Sequence, residues 1–152
     1  HWRADALMRV GYRKFSGSRD WGWCNEQIGI VRCEDTAGIM AVNIDTGENV
    51  GACIMDNWTS NSVQCHFMLV TPLVLKHEFL ECCFDFMFNA CGVSRIYGLV
   101  PANNKRAVKF NTHIGFTVKA TLEEAYQVGV DYLLMELKRE DCLHLPAKEK
   151  AA

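Results

Sequence analysis

The sequence lacks any long run of charge of one sign and any long apolar stretch. Its 152 residues carry 16 Lys plus Arg against 18 Asp plus Glu, which gives a formal net charge of -2. This balance disfavours a nucleic-acid partner, because neutralising phosphates requires a basic stripe. The longest apolar runs, such as Phe67–Val70 and Ile96–Val100, fall far short of the roughly 20 residues of a membrane-spanning helix. We therefore predict a protein that binds neither nucleic acid nor a membrane.

The eight cysteines include no C-x-x-C pair, the spacing that many zinc sites and redox motifs use. Most of them lie in apolar runs, where cysteine behaves as a small hydrophobic residue. No signal peptide is visible in the sequence. These features predict a reduced, cytoplasmic protein with neither a disulfide framework nor a metal site.

The length and composition fit one ordinary domain. With 49% hydrophobic residues, the chain can build a real core but is too short for two independent ones. We expect a single domain over residues 1–140. A C-terminal tail is expected over residues 141–152, where Pro146 is followed by Ala, Lys and Glu.

Hydrophobic periodicity predicts three helices along the chain. The first is expected over Ala4–Phe15. The second and longest is expected over Lys76–Cys91, with Gly92 as its C-terminal stop. The third is short, is capped by Asn103 or Asn104, and is stopped by Gly115.

Short β-prone runs between turn residues predict seven strands. They are expected near Gln27–Arg32, Gly38–Ile44, Asn49–Asp56, Ser62–Val70, Arg95–Val100, Phe116–Leu122 and Asp131–Lys138. A strand, helix, strand unit within an otherwise antiparallel sheet implies one parallel pair. The predicted fold class is therefore α+β, with a mixed, mostly antiparallel sheet that is flanked by helices.

The stretch Val100–Phe116 carries the most informative pattern of the chain. A strand ends, Asn104 opens a helix, Ala107 follows three residues later, and Gly115-Phe116 closes the helix. Coming after a long amphipathic helix, this order resembles the acyl-CoA N-acyltransferases of the GNAT superfamily over roughly Gly38–Lys138. The Trp-rich start and this motif also resemble divergent acetyltransferases of phages and prophages. The resemblance implies the acyl-CoA N-acyltransferase-like fold, in which the parallel strands splay apart.

The resemblance implies acetyl-CoA as the co-substrate and a set of cofactor-binding positions. The pantetheine arm would lie along the main chain of the fourth strand, and the pyrophosphate would lie at the turn that follows. Asn104 would offer its amide to the pantetheine, Ala107 would permit close approach, and Phe110 would cover an apolar part of the ligand. The full set is Phe67, Met68, Leu69, Val70, Leu73, Val74, Leu75, Lys76, His77, Asn104, Ala107 and Phe110.

The turn Thr71–His77 departs from the family pattern, because it contains no glycine where the family uses Gly-x-Gly or Gly-x-Ala. Lys76 and His77 could contact phosphate from a helix N-terminus, or they could form a solvated first turn. The same two readings apply to the basic residues at the start of the last helix: Lys105, Arg106 and Lys109.

Transfer of acetyl from a thioester to an amine needs an acceptor for the amine proton and a donor for the oxyanion. Many GNAT enzymes place a Tyr acid on the last helix, and the matching residue here is Asn111, which cannot act as an acid. His66 is the candidate base, because its pKa range lies near neutrality. The alternative is a buried histidine satisfied by one hydrogen bond. For His113 we favour a structural role at the helix end.

The resemblance thus implies an N-acetyltransferase that moves acetyl from acetyl-CoA to a primary amine by direct attack, without a metal. One alternative is a catalytically inactive GNAT-like module that acts as an interaction or phage-associated structural protein. Another is an α+β binding domain unrelated to CoA. The acceptor, a small-molecule or protein amine, is not identified by the sequence, because acceptor pockets are built from variable loops. A homodimer is compatible with the resemblance.

Overall fold

The computed structural model describes residues 8–29 and 32–145, with the backbone alone at residue 77. The helices are α1 (Gly17–Gln27), α2 (Phe79–Phe84) and α3 (Lys105–His113). A π-helical segment, Asp85–Ala90, continues α2, and short 3-10 turns lie at Pro72–His77 and Arg139–Asp141. The strands are β1 (Val10–Lys14), β2 (Ala37–Asn43), β3 (Asn49–Asp56), β4 (Ser62–Leu69), β5 (Arg95–Pro101), β6 (Thr117–Gln127) and β7 (Val130–Lys138).

The seven strands form one mixed sheet in the order β1-β2-β3-β4-β5-β7-β6. β4 and β5 are parallel, whereas β1–β2, β2–β3, β5–β7 and β6–β7 are antiparallel. The segment that contains α2 supplies the crossover that a parallel pair requires. The predicted α+β class, with a mostly antiparallel sheet and one parallel pair, is confirmed. In the described part of the chain, no helix combines the length and hydropathy needed to cross a membrane.

The chain groups into two compact units. The first contains the chain up to Asn57 together with Cys65–Cys83, and the second contains Trp58–Gln64 and the chain from Phe84 onward. The division passes through β4 and through α2. Each unit has its own buried residues.

The first unit buries one face of β2, β3 and β4 against α1. The buried members of this cluster are Cys24, Met40, Ala52, Ile54 and Met68, with Phe15, Trp23, Ile28 and Val42 packed around them. Alternate positions along β2 and β3 enter the cluster, as expected for strands that place one face on a core. Each large apolar side chain buried in this way contributes roughly 1.5–3 kcal/mol.

A second group of apolar residues in the first unit surrounds Phe79. Its ring stacks on Tyr12, with centroids 6.1 Å apart, and meets Phe67 edge-on at 6.2 Å. Offset and edge-on aromatic pairs of this kind stabilise a core beyond the area that they bury. Three thiols of this unit are buried together, and Cys53 is hydrogen-bonded to both Cys65 and Cys83.

The second unit is built on the antiparallel pairing of β5, β7 and β6. Its buried apolar residues include Phe84, Met87, Phe88, Val93, Ile96, Val100, Ile114, Phe116, Met135 and Leu137. Gly115 follows α3 with φ of 112°, and a Cβ there would lie 3.0 Å from the carbonyl oxygen of Asp141. Glycine is therefore required at this helix end, as the sequence predicts.

The predicted helix over Ala4–Phe15 is wrong in its described part. Residues 4–7 lie outside the described residues, and Val10–Lys14 form β1, paired with β2. Met8 and Tyr12 have helical spacing, but Val10 and Tyr12 fit the alternation of a strand equally well. Over so short a segment the apolar pattern cannot separate the two periods. Pairing with β2 decides the outcome.

The predicted strand near Gln27–Arg32 is also wrong where the structure describes it. Gln27 ends α1, and residues 28, 29 and 32 lie outside any strand. The sequence pattern does not predict α1, because the helix contains two glycines and few apolar residues. Tertiary interactions hold it instead. The carboxylate of Asp20 accepts two hydrogen bonds from Arg13 of β1, at 2.6 and 2.8 Å, and Cys24 is fully buried.

The predicted helix over Lys76–Cys91 is correct in place but wrong in form. Lys76 belongs to a 3-10 turn, and Glu78 has φ of 63°, so α2 begins only at Phe79. From Asp85 the helix continues as a π-helical segment. A left-handed residue and a widened turn leave the spacing of apolar residues nearly unchanged, so periodicity does not reveal them. The other strands match their predicted limits to within one residue, except β6, which continues to Gln127.

Candidate active site

The imidazole of His66 lies beside the carboxylate of Asp56 in the first unit. Nε2 of His66 is 3.3 Å from Oδ2 and 3.4 Å from Oδ1 of Asp56. The two side chains are 18% and 8% exposed. Asp56 ends β3 and His66 lies within β4, and a loop over residues 57–61 joins these neighbouring strands. The pair combines an imidazole that reaches solvent with a buried carboxylate, which suits proton transfer.

Asp56 is a residue that the sequence pattern does not single out. Its second hydrogen-bonding neighbour is Asn57, whose Nδ2 donates to Oδ1 at 3.4 Å. Asn57 itself has φ of 51°, in the left-handed region that Asn tolerates better than most residues. The one feature of the sequence that could have identified Asp56 is an acidic residue at the end of an otherwise apolar strand, just before a turn.

The parallel ladder between β4 and β5 is short. It joins Ser62–Gln64 to Arg95–Tyr97 and ends there. β4 then continues to Leu69 and β5 to Pro101. The positions predicted to accompany pantetheine therefore lie in the part of β4 beyond the end of this ladder.

The side chains of these β4 positions belong to the core of the first unit. Met68 is buried in the cluster beneath α1, and Phe67 packs against Phe79. Leu69 is half-buried. Val70 is 58% exposed, and its N–H donates to the carbonyl of Val50 at 3.0 Å. The N–H of Val70 thus serves the sheet rather than a ligand.

The turn after β4 is organised by Thr71. Its Oγ1 accepts a hydrogen bond from the N–H of Leu73 at 3.4 Å, and its carbonyl accepts one from the N–H of Val74 at 3.3 Å. Val74 is fully buried, and Leu75 is half-buried. Two amides at the start of the turn are therefore engaged with Thr71. Lys76 is exposed, and the side chain of His77 lies outside the described residues.

α3 begins at the predicted cap. Oδ1 of Asn104 accepts a hydrogen bond from the N–H of Ala107 at 3.1 Å, which satisfies one of the unpaired amides of the first turn. The side-chain Nδ2 of Asn104 can still donate to a ligand. Ala107 and Phe110 are half-buried on the same helix.

A groove of about 560 Å³ runs along α3. Its lining residues are Arg106, Lys109, Phe110, Thr112 and His113. Because residues three and four positions apart share one side of a helix, Arg106, Lys109 and His113 form a basic stripe beside an aromatic ring. Such a surface suits an anionic ligand with an apolar part. Lys105 is exposed at the first turn.

Asn111 is the residue to which the resemblance assigns the place of the Tyr acid. Its Nδ2 points at the sulfur of Met135, 3.8 Å away. The amide therefore contacts the core side of α3, and an amide does not protonate a leaving group.

A polar cluster around Glu136 in the second unit is another feature that sequence reasoning misses. Glu136 is 7% exposed and accepts a hydrogen bond from the hydroxyl of Tyr97 at 2.6 Å. Lys119 and Arg95 lie 3.7 and 4.0 Å from the same carboxylate. The Tyr97 hydrogen bond lowers the pKa of Glu136, although burial opposes it, and raises the pKa of Tyr97. Such a carboxylate is a stable anion rather than a base.

The predicted site residues are divided between the two units. Phe67–Val70 and Leu73–His77 belong to the first unit, as does His66, whereas Asn104–Phe110 belong to the second. Within the first unit the structure brings His66 to Asp56. Within the second it brings Asn104 to Ala107. Across residues 8–29 and 32–145, no group of three or more His, Cys, Asp or Glu side chains could hold a metal ion.

No protein-family model and no curated relative matches the chain, but solved structures do. The spermidine/spermine N-acetyltransferase SpeG from Vibrio cholerae matches with a TM-score of 0.68 at 12% identity, covering 88% of this chain and 94% of that one. Mutant forms of that enzyme match with a TM-score of 0.71 at 12% identity, covering 86% of this chain and 94% of that one.

A protein from Desulfovibrio desulfuricans, assigned to the GNAT family of acetyltransferases, matches with a TM-score of 0.64 at 14% identity, over 86% of this chain and 99% of that one. At identities this low, the likeness establishes the fold. The chain therefore has the acyl-CoA N-acyltransferase fold of the GNAT enzymes.

Proposed function

We propose that the protein is an N-acetyltransferase that transfers acetyl from acetyl-CoA to a primary amine by direct attack, without a metal. The observation that carries the proposal is the likeness to acetyltransferase structures over 88% of the chain. The Asn104 cap beside Ala107 and the short β4–β5 ladder support it, since both fall where the family resemblance puts the cofactor. The cofactor positions are those named above on β4, the following turn and α3.

In this reaction the amine nitrogen attacks the thioester carbon, and an N–C bond forms as the C–S bond breaks. The amine proton passes to His66, which is half-buried and reaches solvent. The departing thiolate takes a proton from water, because Asn111 cannot supply one. No covalent enzyme intermediate is required.

The acceptor is a small-molecule or protein amine. The matched Vibrio enzymes act on spermidine and spermine, which makes polyamines the first acceptors to test. A reduced, cytoplasmic setting is part of the proposal and is supported by eight cysteines that form no disulfide. A homodimer and a phage or prophage origin rest on the resemblance alone.

Cofactor binding is tested by the thermal midpoint of unfolding with acetyl-CoA. A ligand that binds only the native state adds roughly 2.7 kcal/mol at 100 times its dissociation constant. We expect acetyl-CoA to raise the thermal midpoint of the wild type. The Ala107→Glu variant should show no such rise, because the bulk and charge of its side chain block the approach of the ligand to α3. Ala125→Glu, at an exposed position of β6, is the matched control. Absence of a shift at millimolar acetyl-CoA would contradict the CoA assignment.

Turnover is tested by release of the CoA thiol with spermidine, spermine and peptide N-termini as acceptors. For the active acceptor, kcat/KM should rise with pH as the base loses its proton. His66→Gln should remove this rising limb of the pH profile and lower kcat/KM roughly a hundredfold. His144→Gln, outside the helices and strands, is the control. If His66→Gln keeps both the rate and the limb, His66 is a structural residue.

A catalytically inactive GNAT-like module is the second candidate. Two observations favour it: Thr71 engages the amides of a turn that has no glycine, and Asn111 stands where the family has its acid. Acetyl-CoA binding without turnover across the amine panel would support this candidate over the enzyme.

A further inference from the structure

The orientation of the His66 ring determines which of its nitrogens can accept a proton. Nε2 faces both oxygens of Asp56, at 3.3 and 3.4 Å. Two lone pairs facing each other would repel, so Nε2 must carry hydrogen to approach a carboxylate. In a neutral imidazole, hydrogen on Nε2 leaves the lone pair on Nδ1. Among the described residues, Nδ1 makes no hydrogen bond.

We propose that Asp56 is a positioning residue that holds His66 as its Nε2–H tautomer, so that Nδ1 is the atom that accepts the proton of the attacking amine. This inference rests on the proposed acetyl transfer and identifies the atom through which the base acts.

The surroundings of Asp56 suit this role. Its side chain is 8% exposed, so its charge is poorly solvated and its interaction with a neighbouring proton donor is strengthened. Within the described residues, His66 is its one ion-pair partner, and Asn57 adds only a neutral donor. No arginine or lysine of that part of the chain lies within ion-pair distance to compensate the carboxylate. Nε2–H of His66 and the amide of Asn57 are therefore the donors that face the buried carboxylate.

The same geometry favours the protonated ring during the reaction. When the amine attacks, its proton moves to Nδ1 and the N–C bond forms, while Nε2–H remains hydrogen-bonded to the carboxylate of Asp56. The thiolate leaves with the electron pair of the C–S bond and takes its proton from water. The imidazolium that results faces a carboxylate at 3.3 Å, which stabilises its positive charge. Asp56 itself neither gains nor loses a proton.

The tautomer can be measured without any activity. Long-range proton–nitrogen NMR of protein labelled with ¹⁵N-histidine reports which ring nitrogen carries hydrogen. His66→Gln identifies the His66 signals among the five histidines of the chain. At a pH where the ring is neutral, we expect the wild type to show hydrogen on Nε2 alone. Hydrogen on Nδ1, or an equal mixture of tautomers, would overturn the proposal even if the protein is an active acetyltransferase.

Asp56→Asn tests the consequence for catalysis. The Asn side chain is nearly the same size but carries no charge and can donate to Nε2, so the Nδ1–H tautomer becomes accessible. We expect kcat/KM for the amine to fall roughly 10- to 100-fold, the KM for acetyl-CoA to stay the same, and the pH limb to move to lower pH. Asn57→Ala, which removes the neutral donor, should leave the limb in place.

A residue that merely supports the fold would lower thermal stability without moving the pH limb. If Asp56→Asn is folded and its limb coincides with that of the wild type, Asp56 does not position the base. If no amine is turned over by the wild type, the proposed function fails, whereas the NMR result on the tautomer stands by itself.

Discussion

Arg13 donates two hydrogen bonds, at 2.6 and 2.8 Å, to the fully buried carboxylate of Asp20. Arg13 lies on β1 and Asp20 on α1, so the pair joins a strand to a helix that the sequence pattern does not predict. Burial alone would raise the pKa of Asp20, but hydrogen bonds from Arg13 and from the N–H of Ser16 bring this pKa below its ordinary value. Asp20 therefore stabilises the fold at neutral pH, and this contribution is lost as the pH falls through its lowered pKa.

Removing Arg13 should destabilise the protein strongly. Arg13→Met removes both hydrogen bonds and leaves only Arg19, 3.8 Å away, beside the buried carboxylate, which costs about 3 kcal/mol. The matched control is Arg9→Met, because Arg9 and its partner Asp45 are 65% and 51% exposed. An exposed pair contributes little to stability, because solvent screens the two charges. Urea unfolding of the two variants measures the difference, and equal losses would show that burial of Asp20 does not matter.

A second prediction concerns acid unfolding. The hydrogen bond from Tyr97 lowers the pKa of Glu136 in the folded state, with further help from Lys119. Because its pKa is lowered by folding, the ionised Glu136 stabilises the fold at pH values above the pKa of the unfolded state, about 4.3. This stabilisation is lost as the pH falls through the pKa of the folded state. Both Glu136→Gln and Tyr97→Phe should therefore show a shallower loss of unfolding free energy below pH 5 than the wild type. Parallel curves for all three proteins would contradict this account.

Much of the fold could be predicted, because the C-terminal half is locally consistent. From β2 onward the apolar alternation and the turn residues indicate the strands, and Asn104 and Gly115 limit α3 as expected. The 3-10 and π-helical segments around α2 are not indicated by them. The N-terminal part could not be predicted, since α1 depends on Asp20 being paired with Arg13 and on Cys24 being buried. Those interactions exist only once β1 and α1 have packed.

The candidate site is predictable only in part for a similar reason. His66 can be chosen from its residue type and strand position, but Asp56 becomes its neighbour only when β3 and β4 pair. The Tyr97–Glu136 contact likewise depends on the pairing of β5 with β7, which are far apart in sequence. Spacing along the chain does not encode such contacts, because they are fixed by the register of strands.

The cysteines should divide sharply in reactivity. Burial raises the pKa of Cys24 to about 11 and also raises those of Cys53 and Cys83, and the hydrogen bond with Cys53 raises that of Cys65. Thiols react as thiolates. Iodoacetamide at pH 8 should therefore modify the exposed Cys33 in the native protein, and Cys24, Cys53, Cys65 and Cys83 only after unfolding. Mass spectrometry of tryptic peptides locates the label, and early modification of Cys53 would contradict the buried arrangement.

Asn104 offers the last test, because its side chain has two ends with separate tasks. Oδ1 caps α3 by accepting from Ala107, whereas Nδ2 is the group proposed to meet pantetheine. Asn104→Ser keeps a good cap and removes the amide donor, so its unfolding free energy should stay within about 0.5 kcal/mol of the wild type. Its dissociation constant for acetyl-CoA should rise about five- to tenfold, the cost of roughly one hydrogen bond.

Asn104→Ala removes both ends of the side chain, and it should lose about 1 kcal/mol of stability in addition to the same affinity. Urea unfolding and calorimetric titration with acetyl-CoA separate the two effects. If the Ser variant binds acetyl-CoA as tightly as the wild type, Asn104 is a helix cap alone, because its cap is the one property that Ser preserves. If the Ser variant loses affinity while the Ala variant loses no stability, the cap contributes little and the amide accounts for the role of the residue.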